Sequence, residues 1–400
     1  MDRHDRRDRH DVVVVGGGNG GISLAARLLR LGARDVVLVE PNDVHRYRPL
    51  LNYVGSGEAG MDELERPMAD VVPDGCTWLQ DRVTSIDPSV PTVTTAAGRT
   101  LTAASVVVCS GLVEDWDATP GLREAYATGW AGSTFVASSA PHVWAALTSA
   151  RSGRVVFSVP PEPAPCGATA LKPLLMACDH WRREGRLGSF DVTLLLPGDA
   201  VTGHRAADHR LDRAFASYGV EVLRGTRVQE VSATERTVTV DAGGRTRVLA
   251  DVAYAHLVPH YRAPRWITQC GLSGDSPAGQ VDVDPETLRH RRHPGVWAAG
   301  DVADLGIRPS GGALRPQVEV LAYNLAAVRA GAPLRRYDGY TVMPITTSRR
   351  RLLLVEVDRH GRPEPTTPFP DLTRPRTVTW LVDRHALVQV YFRRILRGKV

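Results

Sequence analysis

The residues best placed to do chemistry fall in two groups. The first is Gly16, Gly18 and Gly21, inside the stretch Asp11 to Glu40, DVVVVGGGNGGISLAARLLRLGARDVVLVE. Their G-x-G-x-x-G spacing suits a dinucleotide pyrophosphate. The first glycine permits the tight turn, the second lets backbone approach the phosphates, and the third lets helix and strand close on each other. A helix N-terminus behind the turn offers free N–H groups and a positive dipole end. Glu40 ends the next apolar run and can accept hydrogen bonds from a ribose diol. The second group is a single residue, Cys166, which follows Pro165 and precedes an apolar helical stretch. A thiol at a helix N-terminus is expected to have a depressed pKa and to react as the thiolate.

Positioning these residues takes a particular set of elements. Val12 to Val15 read as a buried parallel strand. Ile22, Leu24, Ala25, Leu28 and Leu29 recur at helical spacing, and Val36 to Val39 form a second apolar strand. From Asp81 to Gly111 the pattern predicts an antiparallel meander that returns to a core strand, Ser105 to Cys109. Thr226 to Tyr254 carries a second copy: Arg82-Val83 matches Arg227-Val228, and Thr92-Val93-Thr94 matches Thr237-Val238-Thr239. Such a repeat implies two similar units. The expected fold class is therefore α/β, with two Rossmann-like dinucleotide-binding domains, the first interrupted by the second, plus a C-terminal extension. The expected boundaries are a disordered tail over 1–10, a first domain over 11–145 and 280–334, a second over 146–279, and the extension over 335–400.

The second domain should open with its own glycine turn and does not. After the strand Arg154 to Val159 come Pro160, Pro161, Pro163 and Pro165. Proline has no N–H to offer a phosphate. The next strand, Val192 to Leu196, runs into Pro197-Gly198 rather than an acid. A dinucleotide held by the first domain alone favours a resident FAD over a diffusing NAD. Further on, Val296 to Ala299 run into Gly300-Asp301, and a helix is expected from Ala313 to Arg329. Asp301 would accept hydrogen bonds from a ribityl chain, and that helix would point its N-terminus at the flavin pyrimidine ring. The candidate cofactor residues are Gly16, Gly18, Gly20, Gly21, Glu40, Pro41, Arg48, Val83, Ser110, Gly111, Gly300 and Asp301; the candidate catalytic residue is Cys166. The glycine-rich stretch Gly55 to Gly60 reads as mobile or ligand-facing.

Composition sets the outer bounds. Apolar residues make up 43% of the 400 and charged residues 23%, the balance of a globular protein of two or three domains. The net charge is +5, but only Lys172 and Lys399 among the 49 basic residues are lysine, and the arginines are interleaved with acids. Nucleic-acid binding is not inferred from it. The five cysteines contain no C-x-x-C pair, so neither a metal site nor a dithiol is signalled, and a reducing, cytoplasmic setting is expected. The N-terminal residues MDRHDRRDRHD lack the apolar segment of a signal peptide. At the other end, Trp380, Leu381, Leu387, Val390, Tyr391, Ile395 and Leu396 alternate with Arg384, Arg393, Arg394, Arg397 and Lys399. This basic amphipathic ending suits either a membrane surface or a helix on the domain core.

Several stretches together resemble the sulfide:quinone oxidoreductase family, in its mitochondrial-type branch: VVGGGNGGISLAARL, VEPNDVHRYRPL, GLVEDWDATPGL from Gly111, DVDPETLRHRRHPGVWAAGD, and RRYDGYTVMPITT from Arg335. The resemblance runs from Asp11 to about Gly398. It implies bound FAD, no NAD site, a quinone acceptor and attachment to a membrane surface through the C-terminal segment; a small-molecule electron donor is expected, and a homo-oligomer is left open. It also implies that Cys166 is the family cysteine that opens the second domain's helix. In that family sulfide attacks a cysteine disulfide. Here the residue after Gly300-Asp301, where relatives of this branch often carry the partner cysteine, is Val302. The loop that in relatives reads like L-P-T-S-K-T is LGIRPSGG from Leu305, Met343 stands where a relative can have cysteine, and Cys109-Ser110 replaces Ala-Thr before Gly111. A disulfide cycle through Cys166 is thereby put in doubt, with Cys270 as a weak replacement. The alternative is a repurposed family member acting on a small organic molecule.

Overall fold

The computed structural model describes residues 9–367 and 369–399. Its first sheet is built around the strand Thr100–Val108, which belongs to two structures at once. Its first residues pair antiparallel with Thr92–Thr95. Its last residues pair parallel with Arg9–Val15, Val12 opposite Ser105, and with Val296–Ala298 on the other side. Nine residues are enough to leave the meander and enter the core sheet without a break. Beyond Arg9–Val15 lie Val36–Val39 and Cys76–Leu79, both parallel. Val13, Val14, Val106 and Val107 are wholly buried, as a parallel sheet covered on both faces requires.

The second sheet repeats the five parallel strands of the first, while its meander forms a separate three-stranded sheet. Glu221–Arg224, Phe190–Leu196, Gly153–Ser158, Val252–His256 and Ala131–Gly132 lie side by side, all parallel. The meanders match in register as well as in sequence. A bulge lies between Val83 and Ser85 in the first and between Val228 and Glu230 in the second. Asp87 faces Thr92 in one, and Ser232 faces Thr237 in the other. A shared bulge is a specific device that bends and twists the strand, so two unrelated hairpins are a poor account of the pair.

The C-terminal extension holds the two units together. Its hairpin, Thr341–Ser348 against Arg351–Val357, buries Met343, Ile345, Leu353 and Val355 with Leu171, Leu174 and Leu175 of the second domain's helix. The final helical stretch, Thr377 to Ile395, buries Trp380, Val388 and Tyr391, with Leu396 just beyond, in the first domain's core. Between the two expectations for this segment, the apolar stripe is a helix packed on the core. Val378, Leu381 and Val382 remain exposed on its outer side, as do Arg393, Arg394 and Lys399 near its end. Among the described residues no helix is long and apolar enough to cross a membrane.

Two expectations need correction here. The first strand begins at Arg9, with His10 hydrogen-bonded to Asp35 at 3.0 Å, so the ordered domain starts before residue 11. Residues 1–8 of the expected tail lie outside the described residues. The stretch Gly55 to Gly60 is packed against the fold rather than open. Ser56 is fully buried, and a Cβ on Gly57 would lie 2.3 Å from the indole nitrogen of Trp144.

Candidate active site

The glycine turn is shaped by contacts that leave no room for side chains. Gly16 has φ +103°, and a Cβ there would lie 2.6 Å from the carbonyl oxygen of Cys109. A Cβ on Gly21 would lie 1.9 Å from the carbonyl oxygen of Gly16. Helix Asn19–Arg30 starts at Gly18 with no side-chain cap. Around Gly18 a Cβ would meet nothing within 4 Å, so the turn opens onto free space where backbone donors are exposed. Glu40 is buried, its two carboxylate oxygens accepting from the Gly17 N–H at 2.7 Å and the Asn42 N–H at 2.8 Å. The turn and the acid are thus one assembly. Pro41 follows Glu40 directly, its carbonyl accepting from Gln80 at 3.4 Å, and Val83 begins the meander.

Gly300-Asp301 joins this assembly through Leu314, whose side chain would touch a Cβ on either Gly20 or Gly300. The Gly300 N–H is held by Gln317 at 2.8 Å, and the Asp301 carbonyl by Gln280 at 2.8 Å. The Asp301 carboxylate accepts no hydrogen bond among the described residues. Burial pushes its pKa up to about 6, with the nearby Arg48 guanidinium pulling the other way. Arg48 itself donates to the Phe135 carbonyl at 2.9 Å. Ser110 Oγ, under the glycine turn, is buried with no partner. A buried hydroxyl left unpaired costs free energy, and an unpaired carboxylate costs more. Polyol and phosphate groups of a bound dinucleotide would satisfy both, so the residues fit such a group.

Cys166 has a backbone φ of +54° and caps a short 3-10 turn, Gly167–Ala170, that leads into helix Leu171–Arg183. Its N–H donates to the Pro309 carbonyl at 3.0 Å, and its Sγ lies 3.9 Å from the Val342 carbonyl oxygen. The rewritten loop LGIRPSGG and the hairpin therefore form its walls. The expected depressed pKa is not found. Burial pushes the thiol up to about 12; Lys172 lowers it, while Asp301, Glu162 and Asp383 raise it further. A four-residue stretch of 3-10 helix, with its poorer hydrogen-bond geometry, carries little of the dipole on which that expectation relied. Alkylation of Cys166 by iodoacetamide in cofactor-free protein should accordingly rise about tenfold per pH unit across the alkaline range, with no plateau up to about pH 9. Peptide mass spectrometry would read the rate, and a plateau near neutrality would contradict the burial argument.

Among the described residues no second thiol is bonded to Cys166. Val302 is fully buried in the first core, and Met343 is buried with its sulfur 3.8 Å from an Arg308 nitrogen. Cys270 receives the Ile86 N–H at 3.2 Å, on the meander. Cys178 is buried in the second core. All five cysteines are free. Four functional neighbours escaped the sequence reading. Lys172 is buried and paired with Asp383 at 2.7 Å, and Tyr53 donates to the same carboxylate at 2.6 Å. Arg308 reaches Val201 and Met343 beside the thiol loop. A lone lysine inside the apolar stretch after Cys166 was the one visible signal. Beside the Pro161–Pro163 loop opens a cleft of about 630 Å³, lined in part by Glu162, His260, Tyr261 and Arg262.

A glycine cradle, an Asp301 carboxylate with no hydrogen-bond donor among the described residues and a thiol-bearing second Rossmann unit are features of a flavin-type oxidoreductase. In agreement, a model of the family described as "Pyridine nucleotide-disulphide oxidoreductase" matches residues 10–140. Along the whole chain the likeness is to sulfide:quinone oxidoreductases. It is 28% identical over 397 residues to "Sulfide:quinone oxidoreductase, mitochondrial" of Mus musculus, covering 98% of this chain and 87% of that protein. Two solved structures show the same fold. A chain of the Tetrahymena thermophila mitochondrial ATP synthase composite tetramer has a TM-score of 0.83 at 17% identity, covering 98% of this chain and 97% of that one. The sulfide:quinone oxidoreductase of the hyperthermophilic bacterium Aquifex aeolicus has a TM-score of 0.82 at 17% identity, covering 97% and 92%.

Proposed function

We propose that this protein is an FAD-dependent oxidoreductase that takes two electrons from a sulfur nucleophile and delivers them to a quinone. The observation that carries this reading is Cys166, the opening residue of the second domain's first helical turn, in a chain similar along its length to sulfide:quinone oxidoreductases. Gly16, Gly18, Gly20, Gly21 and Glu40 would hold the adenosine diphosphate half of FAD, with Pro41 and Val83 beside the adenosine. Ser110, Gly111, Gly300, Asp301 and Arg48 would surround the ribityl chain and ring. Bound flavin supplies two-electron transfer between donors and acceptors that never meet. Ribityl hydroxyls donating to Asp301 would offset the cost of its burial. That cost has a defined sign: with a folded-state pKa raised to about 6, the group favours folding below its unfolded value and loses that contribution as pH rises through the folded value.

Cys166 would take the donor sulfur as a persulfide. Overall, hydrogen sulfide, the Cys166 thiol and a quinone give the persulfide and a hydroquinone: one S–S bond forms, two S–H bonds break, and two protons and two electrons end on the quinone. Lys172 is the one nearby group that favours the thiolate needed for that bond. The second domain offers no competing nucleotide site. Four prolines occupy its turn, and its strand Phe190–Leu196 runs into Pro197 rather than an acid. The exposed Val378, Leu381 and Val382 with Arg393, Arg394 and Lys399 support peripheral attachment to an anionic membrane surface, where quinones dissolve.

A second reading, a flavoenzyme turned to a small organic substrate, is favoured by the buried Val302 in place of a second thiol. Anaerobic titration separates the two. Bleaching of the visible flavin band by sulfide but not NADH, reversed by a soluble quinone, is the expected result. Bound flavin that sulfide leaves oxidised would overturn the sulfur reading in favour of the organic one.

A further inference from the structure

His45 and Tyr391 lie 346 residues apart and share a buried hydrogen bond of 2.7 Å between His45 Nε2 and the tyrosine hydroxyl. The other ring nitrogen, Nδ1, lies 3.0 Å from the carbonyl oxygen of Gly17, inside the glycine turn. A carbonyl only accepts, so Nδ1 carries the proton; Nε2 of the neutral ring must then accept from Tyr391. Burial holds His45 neutral, its pKa lowered below the usual imidazole value. The chain of bonds continues: the Gly17 N–H donates to Glu40 at 2.7 Å, and Glu40 accepts from Asn42 at 2.8 Å. Tyr391 is itself wedged against Tyr47, ring centroids 4.4 Å apart.

Both peptide planes flanking Gly17 are therefore fixed, one by Glu40 and one by His45. C=O and N–H point opposite ways across a trans peptide. Anchoring the Gly17 carbonyl on His45 sends the Gly18 N–H away from His45. That N–H has no partner among the described residues, and the space around Gly18 is open.

From this chain of contacts we infer that His45 and Tyr391 are positioning residues for the dinucleotide, and that retention of the cofactor depends on the C-terminal helix being docked. The inference rests on the FAD reading above. The Tyr391 hydroxyl orients His45, His45 orients the Gly17 carbonyl, and the Gly18 N–H is thereby aimed where the pyrophosphate would lie. Glu40 is held by the same turn. A segment at the far end of the chain thus completes a site that its first 40 residues only begin.

The test uses holoenzyme and Tyr391→Phe, which keeps the ring against Tyr47 and removes one O–H. FAD release is followed by flavin fluorescence after dilution, and apoprotein melting is recorded alongside. Release should be about 5–20-fold faster in Tyr391→Phe, the effect of one buried hydrogen bond. Tyr218→Phe is the control. It removes another hydroxyl bond, 3.2 Å to the Thr347 carbonyl, on the second domain. It should lower melting without hastening release. Release unchanged in Tyr391→Phe, or equally hastened in both variants, would overturn the coupling while leaving the cofactor reading intact. A wild-type chain that takes up no FAD would overturn that reading and the coupling with it.

Discussion

Replacing Cys166 with serine is expected to lower sulfide-dependent quinone reduction by about a thousandfold or more, the order seen when a covalent nucleophile is removed. Bound flavin and its spectrum should stay unchanged. The substitution is close to isosteric. The backbone contact to Pro309 and the turn closed by Thr169, which donates to the Cys166 carbonyl at 2.8 Å, do not involve the thiol. What is lost is the sulfur. A hydroxyl at this position would not ionise at working pH, and no other sulfur is placed to substitute. Met343 is a thioether, Cys178 is sealed in the core, Cys270 faces the meander, Cys76 lies in the strand Cys76–Leu79, and Cys109 sits against Gly20 with its thiol pushed up to about 12 by burial. Steady-state assay with sulfide and a soluble quinone checks the rate. Full activity in the serine variant would remove the persulfide step and leave the organic-substrate reading in possession of the site.

The same residue marks where sequence reasoning stopped. The geometry of the glycine turn with Glu40, and the place of Gly300-Asp301 after a core strand, were legible because each is a local pattern set by its neighbours in the chain. So was the repeated meander, down to equivalent bulges at Val83 and Val228. The thiol's environment was not legible. Its ionisation depends on burial, and on Lys172, Asp301, Glu162 and Asp383, which come from four separate stretches. The local rule of a helix N-terminus gave the wrong sign because the first turn is 3-10 and enclosed. No local pattern marks His45, since its meaning lies in its bond to Tyr391. The C-terminal ending was ambiguous for a related reason. An amphipathic pattern says that one face is apolar, while only the fold says what covers that face.

Asp383→Ala is expected to destabilise the protein by about 3–5 kcal/mol, the cost of leaving a buried charge without its partner. Lys172 is 1% exposed and Asp383 6% exposed, and they meet at 2.7 Å with the Lys172 ammonium 4.6 Å from the Tyr53 ring centroid. Removing the carboxylate also strands the Tyr53 hydroxyl. Chemical denaturation of holo- and apoprotein would read the loss. Replacing both charges is expected to behave differently. Lys172→Met with Asp383→Leu removes the two desolvation costs together and should restore most of the stability, because buried pairs seldom outperform apolar groups of similar volume. The double variant should nonetheless be impaired in chemistry. Lys172 lowers the Cys166 pKa by more than Asp383 raises it, so with both gone the thiol should still alkylate more slowly at any given pH. Stability regained with reactivity lost would mean that the pair is kept for the positive charge it holds beside the sulfur. Stability and reactivity regained together would reduce it to a bolt between the C-terminal helix and the second domain.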